Sequence, residues 1–226
     1  MIKNSKVLIY FLILLFTKTV LASTSSSYLI SQTAFNNHDF TKVLYEYNTN
    51  HKTYNKNDYL DELISAVVTE NLIVAEKIAA KIFLIDSSNQ EARLVKLVKA
   101  FNEKKENKIN VLRFDEYKNK NDLFEFLFFL EDKIKSKNEI SNSFLEIVKS
   151  SYSNSDSKYS KNYNFLMFYT SLSILIDQDN YEAIFIKGQL LQMINDYFFA
   201  EKMYLKIPNK SEYFLDAQRN IAFNYS

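Results

Sequence analysis

His38 and His51 are the only imidazoles in the chain, thirteen positions apart. A histidine metal pair usually needs close spacing on one helix face, with carboxylate help. His38 instead precedes Asp39 at a turn, where exposure or capping accounts for it. The carboxylates offer a second chemistry, general acid–base work by a pair. Glu131 and Asp132 are adjacent and point to different faces of a helix. Glu125 and Asp132 could share a face, but about two turns apart. With no cysteine, the chain has no thiolate ligand, cysteine nucleophile, disulfide or lipid-modified cysteine. Its one glycine, Gly188, leaves no phosphate-cradling loop and no glycine-flanked serine nucleophile. Sixteen tyrosines and nineteen phenylalanines could form a carbohydrate or peptide platform. Phe126, Phe129, Phe165, Phe168, Phe198 and Phe199 sit in dense apolar stretches, however, and read as core. No catalytic, cofactor-binding or metal-binding residue is assigned, and the chain reads as a non-enzyme with no cofactor.

The elements that position these side chains follow from composition. Hydrophobic residues make up 47% of 226, enough for one domain with a sizeable core. Sheet proteins need many tight turns, which favour glycine. A single glycine and a single proline (Pro208) therefore point to helices joined by short polar loops. The formal net charge is +1, and loss of the first 22 residues would remove Lys3, Lys6 and Lys18. The lysine-rich stretches at Lys104-Lys105, 118–120 and 133–137 are interleaved with Glu, Asp and Asn, as on solvated helix faces. No concentrated basic face marks a nucleic-acid partner.

At the N-terminus, Lys3 and Lys6 precede ten apolar or aromatic residues, Val7 to Phe16. Val20-Leu21-Ala22 then leads into a serine-rich stretch. Basic, apolar and then small residues are the layout of a secretory signal peptide. Ten helical residues span only about half of a hydrocarbon core, so a permanent span is the weaker reading. Residues 1–22 are read as a signal peptide or an uncleaved N-terminal anchor, and 23–226 as the folded domain. Export to the periplasm or cell envelope follows, with membrane contact only through a retained anchor.

One submotif recurs in register: Ala34…Asp39-Phe40…Val43, Ala66…Asn71-Leu72…Ala75 and Leu191…Asp196-Tyr197…Ala200. Apolar residues at helical spacing flank each copy, so each reads as a helix–turn–helix unit. Units start near Thr24, Lys56 and Gln90, separated by 32 and 34 residues, with further starts near Tyr181 and Leu215. The expected helices are 28–36 and 40–48, 59–70 and 73–85, then 91–103 and 109–117. Asp122–Lys135, apolar nearly all round, is expected to be a buried helix. Ile140–Tyr152 and Tyr163–Ile176 form a further pair around a serine-rich loop, 150–160. A period of 30 to 40 residues signifies stacked helical repeats, which usually bind other proteins.

The 34-residue period resembles the tetratricopeptide repeat, of the kind found in exported proteins of Gram-negative bacteria. The Tyr181 unit fits best, with Gly188 at the family's eighth position, Tyr197 at the seventeenth, Ala200 at the twentieth and Tyr204 at the twenty-fourth. Ser31, Ala34, Phe40, Val43 and Tyr47 match in the first unit. Leu63, Ala66, Leu72, Ala75 and Ala79 match in the second. Tryptophan is missing from the fourth position and proline from the end of most units, and 120–180 leaves the register. The resemblance implies an all-α, right-handed α-α superhelix, with a small residue at Gly188 letting paired helices approach closely.

It also implies a concave groove lined by the first helix of each unit. The carried-over positions are Tyr28, Gln32, Phe35 and Asn36 in the first unit. In the third they are Glu91, Leu94, Val98, Phe101 and Asn102. In the Tyr181 unit they are Glu182, Phe185, Gln189, Gln192 and Met193. The second unit places Leu60, Ile64, Val67 and Val68 there, apolar enough to be core. Such a groove suits a docking helix or extended peptide with apolar anchors. The expected function is thus a non-catalytic protein–protein interaction scaffold in the envelope, binding on its concave face. A structural segment of a longer repeat array and an envelope enzyme using carboxylates are the alternatives.

Overall fold

The computed structural model describes residues 26–49, 56–114, 121–153 and 163–225. The leader or anchor expected over 1–22, His51 and most of the serine-rich loop lie outside the described residues. Twelve helices and one two-stranded hairpin make up the described part, an all-α fold. Among the described residues no helix is long and apolar enough to cross a membrane.

The first stack holds α1 (residues 26–36), α2 (Phe40–Thr49), α3 (Lys56–Val68), α4 (Leu72–Ile85), α5 (Gln90–Asn102) and α6 (Glu106–Leu112). A short α7 (Asp122–Phe128) and the hairpin β1 (Phe129–Leu130) and β2 (Lys133–Ile134) follow. The second stack holds α8 (Lys137–Ser153), α9 (Tyr163–Ile176), α10 (Tyr181–Met193), α11 (Tyr197–Tyr204) and α12 (Phe214–Asn224). Sequential helices pack as antiparallel neighbours, α3 on α4, α4 on α5, α8 on α9 and α10 on α11.

One turn geometry explains the recurring submotif. His38, Glu70, Lys104 and Asn195 each adopt a left-handed backbone, with φ between 55° and 61°. The amide after each of them donates five residues back: Asp39 to the Ala34 carbonyl, Asn71 to Ala66, Lys105 to Ala100 and Asp196 to Leu191, all at 2.8–2.9 Å. The left-handed residue itself donates to a carbonyl three back, which completes the Schellman arrangement at the helix end. Three of the following residues cap the next helix. Asp39 accepts from the Lys42 amide, Asn71 from Val74 and Asp196 from Phe199. A side-chain cap of this kind contributes about 1 kcal/mol. The acidic or amide residue of the submotif is therefore a cap, and its leading small or apolar residue (Ala34, Ala66 or Leu191) supplies the carbonyl that closes the left-handed turn.

Three of the aromatics read as core, Phe126, Phe198 and Phe199, are exposed, and two of the expected helices change. The helix expected over Asp122–Lys135 ends at Phe128. Glu131 and Asp132 both have positive φ and close a two-residue hairpin that pairs Phe129 with Ile134. In the strand, Phe129 is buried and Leu130 exposed, so these two residues alternate across the hairpin. The helix expected over Ile109–Tyr117 runs instead from Glu106 to Leu112. Arg93 is buried and donates to the Leu112 carbonyl at 2.7 Å and to the Phe114 carbonyl, closing that helix end.

The helix buried all round is α9, in which only Leu175 and the first turn retain surface. It packs on α8 and α10 and, far away in sequence, on α3 and α5 as well. The second stack thus does not extend the first in a line; it folds back and seats α9 against the first helices of the second and third units. Ser173 and Ser141 exchange hydroxyl–carbonyl hydrogen bonds at 2.9 and 3.0 Å, fixing α9 to α8, and Asn180 joins them. Gly188 lies under the Tyr204 ring: a Cβ there would sit 2.7 Å from its Cζ. Close approach of α10 and α11 requires the glycine, as the packing argument expects.

Candidate functional site

The groove inferred for partner binding divides into three parts. On α5, Leu94 and Val98 are fully buried, and on α3, Val67 and Val68 are buried with them. They lie on the helices against which α9 packs, so this part of the groove is filled by the chain's own helix. Leu94 and Val98 leave the partner-binding set for that reason. Phe35 is also core, edge-on to Phe40 at a centroid distance of 6.1 Å, and Gln32 donates to Asp61 at 2.6 Å. Tyr28 and Asn36 remain exposed, while Glu91 is half-buried at the start of α5.

Phe101 and Asn102 line a separate cleft of about 510 Å³ at the α5–α6 turn, bounded by Lys104, Ile134, Lys137 and Leu175. Asn102 donates to the Leu175 carbonyl at 3.0 Å, which ties the end of α5 to α9. The α10 residues face other elements. Glu182 pairs with Lys149 at 2.6 Å, and Phe185 packs against Tyr204 and Tyr213. Gln192 accepts from the Tyr204 hydroxyl and donates to Asn224, both at 2.6 Å, while Gln189 and Met193 are exposed.

The carboxylates singled out for acid–base work do meet. Arg113 donates to Glu125 through both Nε and Nη2, and to Asp132 at 2.6 Å, with its guanidinium 4.1 Å from the centre of the Phe129 ring. Hydrogen bonding to Glu125 and then Asp132 holds Arg113 protonated above its ordinary range despite burial. Both acids are thereby committed to a cation, and the cluster clamps the hairpin to the end of α6. His38 sits half-buried with Nδ1 3.0 Å from the Asn164 amide oxygen and its ring 4.3 Å from that of Tyr163. It docks the first turn onto the start of α9. Among the described residues no group of three His, Cys, Asp or Glu could hold a metal.

A larger cleft, about 830 Å³, lies where three of the four equivalent turns converge. Asn37 to Thr41 supply one wall, Val68 to Glu70 a second, and Ile194 to Asp196 with α11 the third. Met167 of α9 and Met203 of α11 contribute apolar surface between them. Lys187, whose side chain is only 4% exposed, reaches across from α10 to the Val68 carbonyl at 2.8 Å and to Glu70 at 2.7 Å. Lys206 approaches the other Glu70 oxygen at 3.5 Å. Burial pushes the Lys187 ammonium below its ordinary value, more than Glu70 lifts it.

The pair therefore joins the two stacks at the cleft, and sequence reasoning missed it. A lysine inside an apolar helix, as in Ile184-Phe185-Ile186-Lys187-Gly188, was the available signal, because a buried lysine needs a partner. A second missed signal is the shared pattern Ile-Asp-x-x-Asn-x-Glu-Ala at 85–92 and 176–183. At both places the asparagine caps the next helix: Asn89 accepts from Ala92 and Asn180 from Ala183. The pattern marks α4–α5 and α9–α10 as equivalent junctions and puts α9 in register as the second helix of a unit.

Comparison with protein-family models, curated proteins and solved structures finds no match to this chain.

Proposed function

We propose that this protein is an exported, non-catalytic binding module of the tetratricopeptide kind, with that family's right-handed winding, which holds a protein partner in the cell envelope. The partner surface is the cleft at the three turns. One observation carries the choice: α9 fills the groove that the first helices would offer, whereas the turn cleft stays open between the stacks. The cleft is edged by Phe199, with 44% of its surface exposed, and by the rigid ends of five helices. Large apolar side chains fixed on rigid elements are the usual anchors of protein interfaces. Signal-like residues at 1–22 and the repeat register support the envelope location and the family.

A photo-crosslinking amino acid at Phe199, compared with one at the exposed Leu84 on α4, tests this reading in the native envelope. The expected result is a discrete adduct from position 199 and none from position 84. Adducts from position 84 alone, or equal labelling from both, would move the partner surface away from the cleft.

A further inference from the structure

Resting on the reading of the turn cleft as a partner surface, we infer that it takes a segment of a partner protein carrying a large apolar side chain flanked by carboxylates. The interior is apolar and adaptable, with Met167, Leu191 and Met203 beside Val68 and Phe40. Methionine fills irregular contours and accepts varied side chains. The charged groups around this floor are unequally committed. Asp39 and Asp196 each accept the amide of the helix they cap, and Glu70 takes both Lys187 and Lys206. Lys187 is held on the Val68 carbonyl and Glu70. Lys202 differs. Its ammonium lies 4.0 Å from the Phe198 ring centre and 5.1 Å from that of Phe199, and among the described residues it makes no ion pair.

Lys206 reaches Glu70 only at 3.5 Å and keeps an exposed side chain. The acids of the cleft are thus held by helix caps or buried lysine, while two cations on α11 and just beyond it stand at the rim. An entering carboxylate gains Lys202 and shares the exposed Lys206 with Glu70; an entering cation meets the same two lysines. The aromatic faces under Lys202 keep that ammonium above Phe198 and Phe199 instead of extended into solvent. Like-charge rejection at such a rim sets partner choice more than total affinity.

The methionines provide the test. The chain has four, Met1, Met167, Met193 and Met203, and Met193 is 61% exposed and outside the cleft. The full chain with 13C-methyl methionine is titrated with two synthetic dodecapeptides. They share a central leucine and phenylalanine, flanked by glutamates in one and lysines in the other. The glutamate peptide is expected to shift the Met167 and Met203 methyls and spare Met193. Its half-saturation should fall at least tenfold below that of the lysine peptide. Lys202→Glu, an exposed change, should erase that preference, and Lys202→Gln should reduce it by less.

Equal titration by the two peptides, or a preference unchanged in Lys202→Glu, would overturn the inference. Movement of the same methyls by phosphatidylglycerol vesicles and by neither peptide would overturn it in favour of a membrane surface. Silence of Met167 and Met203 in all three titrations overturns it too. An adduct at position 199 would then still uphold the cleft as a partner surface for a segment of different chemistry.

Discussion

Phe168→Ala is expected to destabilise the whole molecule by about 3–5 kcal/mol, the usual cost of removing a large buried aromatic ring. Phe168 is almost fully buried in α9 and packs edge-on against Tyr169 at a centroid distance of 5.5 Å. The informative part is how the loss is distributed. In a linear array, stability is a sum of unit and nearest-neighbour terms, so a defect weakens its own neighbourhood. Here α9 touches α8, α10, α3 and α5, and a cavity in it removes support from both stacks at once. Urea unfolding of the variant should stay a single transition with an unchanged slope and a lower midpoint. Two resolved transitions, with α1–α6 unaffected, would contradict this.

Glu70→Gln is expected to cost about 3 kcal/mol, because it leaves the buried Lys187 ammonium with neutral acceptors only, the Val68 carbonyl and the new amide oxygen, and no counter-charge. The lower end of the usual range applies, since the Glu70 side chain retains 27% of its exposure. Adding Lys187→Met should recover most of the loss, because an apolar side chain of similar length needs no counter-charge. A double variant as unstable as Glu70→Gln would refute the pairing. The pH dependence has a definite sign. Burial alone would raise the Glu70 carboxyl, but Lys187 and then Lys206 outweigh it and hold it below its ordinary 4.5. A carboxyl depressed in the folded state contributes stability above its unfolded pKa and loses it as pH falls through the folded one. Acid titration of stability should therefore be shallower below about pH 4.5 in Glu70→Gln than in the parent.

What could be read in the sequence was local. Helix periodicity, the cap at each turn and the clearance for Gly188 all depend on residues within one unit, and Tyr163–Ile176 is found with the bounds its apolar run implies. The hairpin was missed because Phe128-Phe129-Leu130 suits helix and strand equally. The turn is decided by Arg113, nineteen residues away, reaching Asp132. The groove was misplaced for a similar reason. Leu94 and Val98 carry the right spacing for a concave face, but nothing near them reveals that α9 will cover it. That information sits in α9 itself, whose buried Thr170, Ser171 and Ser173 leave no solvated face for a surface helix. The register pattern at 176–183 places the helix in a unit but does not say which groove it enters.

Hydrogen exchange of the native protein tests the central claim most directly, because protection reports the free energy at which each segment opens. If α9 is the core shared by both stacks, the slowest amides of α3, α5 and α9 should exchange together, at the free energy of global unfolding measured in urea. Exchange of α9 well before α3 and α5, with the first stack still protected, would mean the groove opens on its own and the two stacks are independent.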